Sequence, residues 1–206
     1  MICRAIARQP QGCETVGISV DQAEEEAGKT SCMPAERIDE FIESSDAYRS
    51  LSSAIAESCT PRMSHGGSVV DLHCGKGDLI SILLSHAPGD CRFIGFDDEQ
   101  ANVDYCNDRF RSLVHQGFVH VDSAGIDETP MISSCLIIEA FGLRELTEKK
   151  TQETLERTLR SISKGGAMVI VESSNRPWTQ LLKAAGFRDS RTIWSRDGIE
   201  AIIAER

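Results

Sequence analysis

Positive charge is scarce in this sequence beside negative. Its 206 residues carry 22 Lys and Arg against 32 Asp and Glu, a formal net charge of −10. A protein that tracks phosphate backbones needs clustered Lys and Arg, so nucleic acid is disfavoured as a partner. Apolar runs of membrane-spanning length are missing as well, and no membrane role is expected. The first twelve residues hold two Arg and no acid but lack the apolar stretch of a secretory signal. Eight cysteines are present, yet no two stand as C-x-x-C and none pairs with a His at zinc-ligand spacing. Several fall inside apolar segments and read as reduced, buried thiols, which fits a cytoplasmic protein. His65, His86, His115 and His120 form no ligand set, and no metal is expected. Internal repeats and low-complexity tracts are also lacking. What is left is one globular domain with an appendage.

Residues 1–33 show little periodicity and include the run Glu24-Glu25-Glu26; they are expected to form a flexible leader. The domain is expected over 34–206, opening with a helical lid or arm over 34–60. There Ile38, Phe41, Ile42, Tyr48, Leu51 and Ile55 share a broad face. A loop is expected from Thr60 to Gly67. Strand and helix then alternate. Strands are predicted at Val69–Leu72, Cys91–Phe96, Gly117–Val121, Ser134–Ile138 and Ala167–Val171. Helices are predicted at Leu79–His86, around Val103, Cys106, Phe110 and Leu113, and from Thr147 to Ile162. Pro177 opens a further helix that Gly186 closes. Two last strand-like runs, Ser190–Trp194 and Gly198–Ala204, flank an Asp-Gly turn and read as a hairpin.

Two stretches carry the chemistry. Val69-Val70-Asp71-Leu72-His73-Cys74-Gly75-Lys76-Gly77-Asp78 runs from a strand through a glycine loop into a helix. Such a loop brings backbone N–H groups to a ligand at the carboxyl end of a parallel strand. Twenty residues after Gly77 the next strand ends in Asp97, placed to accept from ribose hydroxyls. Asp97 also reads as an N-cap for the following helix, and one residue serves both purposes.

In order, the chain supplies Asp71…Gly75-Lys76-Gly77, Asp97, Asp122, Glu139-Ala140-Phe141, Gly165-Gly166, Ala184-Ala185-Gly186-Phe187 and the terminal hairpin. On that ordered set, residues 35–206 resemble the class I S-adenosylmethionine-dependent methyltransferases. The resemblance implies an α/β fold: a Rossmann-like sheet, mostly parallel, with a C-terminal antiparallel hairpin strand and helices on both faces. It implies S-adenosyl-L-methionine as cofactor and S-adenosyl-L-homocysteine as product. It also assigns roles. Asp71 orients the methionine amino group, Gly75 and Gly77 let the loop pack on the cofactor, and Asp97 takes the ribose. Asp98 packs beside the adenine, Asp122 and the Ser123 backbone meet the adenine amine, and Glu139-Ala140 meets the methionine moiety. One position departs from the family pattern: His73 stands where the loop's first glycine is expected.

Methyl transfer from a sulfonium is an in-line displacement that needs positioning and exclusion of water rather than a metal. His73 is a cofactor-side residue and a candidate base; its plainer role is a histidine hydrogen-bonded within the loop. Glu139 is the other candidate to bind or deprotonate an acceptor. Tyr48, Phe141, Arg144 and Glu172 are expected to line the acceptor site. Tyr48 also reads as core packing, Arg144 as solvated surface and Asp122 as a loop acid. The strand-four loop lacks the Asn-Pro-Pro-Tyr type of motif that holds a base amine.

The leading expectation is methyl transfer to a small molecule, with a protein side chain next. A second reading, from the substitution at His73, is a cofactor-binding but non-catalytic scaffold acting through a protein partner. A nicotinamide-dependent oxidoreductase shares the glycine loop and the strand-two acid, but the terminal hairpin argues against it. A homodimer is left open.

Overall fold

The computed structural model describes residues 45–206. The elements run α1 (Ser45–Met63), β1 (Gly67–Asp71), α2 (Asp78–Leu84), β2 (Cys91–Asp97), α3 (Gln100–Arg109), α4 (Arg111–His115), β3 (Val119–Ser123) and β4 (Ser134–Ala140). A 3₁₀ turn at Leu143–Glu145 follows, then α5 (Glu148–Ser161), β5 (Ile162–Ser173), α6 (Trp178–Ala185), β6 (Asp189–Arg196) and β7 (Ile199–Glu205). The strands form one seven-stranded sheet in the order β3-β2-β1-β4-β5-β7-β6. β1 to β5 pair in parallel; β7 pairs antiparallel to both β5 and β6. The chain reverses its direction of winding between β1 and β4. In open α/β sheets that switch point opens a crevice at the carboxyl ends of the strands.

Side chains alternate across each strand, and this parity decides which layer a residue joins. Val69, Phe93, Val119, Val121, Ile138 and Val169 face the layer formed by α1, α2 and α3. Val70, Phe96, Ile137, Met168, Ile170 and Ile202 face the other layer with Leu155 of α5 and Trp178 and Leu182 of α6. Local signals set the ends. Thr147 caps α5 by accepting from the Lys150 N–H, and Gly186 ends α6 at φ 101°. Asp197 and Gly198 turn the hairpin at φ 54° and 79°, the two left-handed residues a type I′ turn demands.

The differences from the sequence expectations have physical causes. The expected loop at 60–67 is shorter, because α1 continues past Pro61 to Met63. Met63 is fully buried and Arg62 pairs with Glu205, so tertiary contacts outweigh the proline. The helix expected around Val103–Leu113 breaks in two at Phe110. β5 begins earlier than expected, at Ile162, and its pairing with β4 shifts register over Gly165-Gly166. Residues 34–44 of the expected arm, like the expected leader, lie outside the described residues. The 124–133 connection between β3 and β4 carries no helix. Arg157 of α5 holds it by donating to the Ile126 carbonyl at 2.6 Å, the Thr129 hydroxyl at 3.2 Å and the Asp127 carbonyl.

Candidate active site

The crevice at the switch point contains a cavity of about 240 Å³. Asp71 and Ala140, the last residues of β1 and β4, and Val171, near the end of β5, form its floor. The loop residues His73, Cys74, Gly75 and Lys76 form one side, and Tyr48 and Leu51 of α1 form the roof. Phe141 and Arg144 close the far wall. Phe141 adopts a left-handed φ of 64°, a strained value for an aromatic residue, and Arg144 lies 5.7 Å from its ring centroid.

The loop is shaped by its glycines and by Asp97. Gly77 sits at φ 76°, and a Cβ there would come within 2.6 Å of the Phe110 ring, so only glycine fits. Gly75 sits at φ 50° with open space where a Cβ would point. Its N–H donates to Asp97 at 2.8 Å. Asp97 is fully buried and also accepts from the Glu99 N–H and the Asn102 amide, each at 3.0 Å. It is therefore a clamp between the β1 and β2 loops, with the exposed Asp98 beside it. One donor atom each from His73, Asp97 and Asp98 lies within 4.8 Å of the others; among the described residues this is the one group with that geometry. Asp122 and Ser123 are exposed at the end of β3, and Asp122 accepts the Ser123 N–H at 2.9 Å.

Burial governs the acids. Asp71 is 2% exposed, and burial pushes its carboxyl up to about 7, partly offset by the His73 N–H and imidazole. Such a group becomes a firm anion once a cation sits beside it. The Tyr48 phenol is raised by burial and then by Asp78 and Asp71, so it stays a donor across the working pH range.

Glu139 and Glu172 come out differently from the expectation. Each is one residue out of phase with the cavity floor (Ala140 and Val171), and their side chains enter the opposite layer. Glu139 accepts from the N–H groups of Gly142 at 2.5 Å and Leu143 at 2.9 Å. Glu172 accepts from the Arg144 N–H at 2.9 Å. They brace the turn after β4 and line no part of the cavity. Glu139 is held well above the ordinary carboxyl range by burial and then by Glu172; Glu172 is pushed up to about 7 by burial. The period-two count along β4 and β5 carried this signal. Leu51, Leu79 and Lys76 also line the cavity and had no comparable mark in the sequence.

Among the described residues, no helix is long and apolar enough to cross a membrane. Several known proteins are similar to this chain. The ubiquinone/menaquinone biosynthesis C-methyltransferase UbiE of Geobacter sulfurreducens is 27% identical over 124 residues, 59% of this chain and 47% of that protein. The 2-phytyl-1,4-naphtoquinone methyltransferase of Synechococcus elongatus is 28% identical over 120 residues, 57% of this chain and 50% of that protein. The chain thus spans about half the length of the curated relatives it matches. Human N-acetylserotonin methyltransferase, solved in complex with SAM, has the same fold at a TM-score of 0.57 and 21% identity, covering 78% of this chain and 54% of that one. The sequence model of the ubiE/COQ5 methyltransferase family matches residues 44–196, and by that match over most of its length the chain belongs to this family.

Proposed function

We propose that the protein transfers the sulfonium methyl of S-adenosylmethionine to a small hydroxylated aromatic acceptor of the quinol type. The observation that carries this is Asp71: a buried carboxyl next to a glycine loop, at the floor of an open cavity that Ala140 also lines. The residues fit the cofactor. Asp71 and the Ala140 carbonyl offer acceptors for its ammonium group, and the open space above Gly75 leaves its chain a path. Asp97 holds the loop in shape, and in this reading the exposed Asp98 takes the ribose hydroxyls and the exposed Asp122 and Ser123 take the adenine. The bound cofactor supplies an electrophilic methyl.

This chain's own residues do the rest. Leu51, Leu79, Phe141 and Val171 give an apolar slot for a ring, and Tyr48 and Arg144 supply donors for ring oxygens. His73 lines the same cavity. Whichever nitrogen of its neutral ring carries no proton offers the lone pair able to take a hydroxyl proton. The names of the two quinone-related relatives support an acceptor of this class.

Calorimetric titration with adenosylhomocysteine, followed by transfer of labelled methyl groups to a panel of naphthoquinols and benzoquinols, tests the proposal. We expect micromolar binding, at least tenfold weaker in Asp71→Asn, and transfer to at least one quinol. Absence of binding would sink the cofactor reading. Binding without transfer to any acceptor would instead favour a non-catalytic scaffold, the reading that His73 in the loop motivates.

A further inference from the structure

His73 does not project into solvent. Its Nδ1 stands 3.1 Å from the carbonyl oxygen of Ala140, the last residue of β4. A carbonyl only accepts, so in this contact Nδ1 carries the proton. The side chain is also packed against the turn after β4. A Cβ built on Gly142 would lie 3.0 Å from His73 Cγ and 3.1 Å from His73 Cβ. A ring nitrogen comes within 4.8 Å of carboxylate oxygens on both Asp97 and Asp98. β2, β1 and β4 are consecutive in the sheet, so the imidazole reaches across the mouth of the crevice from the end of β4 toward the end of β2. Beneath it the cavity measures about 240 Å³, below the roughly 300–1,000 Å³ that small-molecule sites usually occupy.

We propose that His73 is a latch on the cofactor cleft: in the free protein its imidazole occupies the Ala140 carbonyl, and a ligand's ammonium group must displace it to settle between Ala140 and Asp71. This rests on the reading of the cleft as an adenosylmethionine site. A carbonyl oxygen has two lone pairs, so in this proposal the exclusion is steric. The ring already held at the Ala140 carbonyl and against Gly142 takes the space in which the ligand's ammonium would approach that oxygen. A ligand that binds only the open form binds more weakly by the fraction of molecules that are open. One neutral hydrogen bond together with the packing on Gly142 sets that penalty at about three- to tenfold in affinity. Removing the imidazole then tightens binding, the reverse of what deleting a side chain from a binding site ordinarily does.

The test is a titration of adenosylhomocysteine into wild type, His73→Gly and His73→Ala by calorimetry, with long-range proton–nitrogen NMR of the His73 ring in wild type. The alanine variant controls for the loop freedom that glycine adds. We expect both variants to bind about three- to tenfold more tightly than wild type. We also expect the free wild-type ring to be protonated at Nδ1, with its signals moving as the ligand saturates. Equal or weaker binding by both variants, with wild type still binding, overturns the latch and leaves the cofactor reading standing. Binding by none of the three overturns both. Should a variant fail to fold, the wild-type ring decides alone: signals that stay fixed at saturation, or a free ring protonated only at Nε2, overturn the latch.

Discussion

A carboxyl group held well above its ordinary range is a different residue from a free anion, and Glu139 shows the difference. It is fully buried, and a second buried acid, Glu172, adds to the cost of ionising it. One of its oxygens accepts two backbone N–H groups; the other, Oε2, has no hydrogen-bond partner. This is the chemistry of a strut. Glu139→Gln keeps the accepting oxygen and the shape, so we expect its stability in urea to stay within about 1 kcal/mol of wild type, with methyl transfer unchanged within about twofold. Glu139→Ala leaves the Gly142 and Leu143 N–H groups without an acceptor and costs about 3 kcal/mol. A glutamine variant that folds normally but has lost transfer would return Glu139 to the reacting centre. His73 teaches the complementary lesson. Its position in the loop was plain in the sequence, but its orientation depends on a carbonyl 67 residues away, and no local pattern encodes that.

At the scale of elements, the parallel strands were legible because each is an apolar run cut off by an acid or a glycine. The terminal hairpin was legible because Asp197-Gly198 admits the left-handed backbone that a tight turn requires. What was not legible came from contacts between elements. α1 overrides Pro61 because Met63 is buried. The 124–133 connection, for which the sequence suggested no element, is held by Arg157 of α5. Three of that connection's oxygens converge on the Arg157 guanidinium, and such charge-assisted bonds are the strong kind. Arg157→Met keeps most of the apolar stem and removes the fork. We expect it to lower unfolding stability by about 2 kcal/mol and to raise amide exchange across 124–133 well above that of the sheet. If exchange there matches wild type, the connection is held by its apolar residues Ile126 and Ile132 instead.

The molecule as a whole concentrates buried acids at one end of its sheet. Asp71, Glu139 and Glu172 end β1, β4 and β5 or lie one residue from those ends, and all are raised by burial, Asp71 and Glu172 to about 7. Unfolded carboxyls titrate near 4. Between about pH 4 and pH 7 the folded protein therefore holds protons that the unfolded chain has released. The stabilisation from these groups is complete below about pH 4 and is lost as the pH rises through about 7. An end-loaded protein of this kind is built to receive positive charge. A ligand ammonium next to Asp71 favours the anion and lowers its titration, so the pH dependence flattens when the cleft is filled. Thermal unfolding of the free protein should show a Tm about 5 °C lower at pH 8 than at pH 5.5, on a scale where 1 kcal/mol moves a domain of this size by about 2–4 °C. Asp71→Asn should recover part of that loss at pH 8. Saturating adenosylhomocysteine should raise Tm at both pH values by mass action, and by more at pH 8. A Tm for the free protein that is level from pH 5.5 to pH 8 would mean these carboxyls ionise freely in the folded state. Asp71 would then have no need of a cation, and the cleft would have no electrostatic reason to take one.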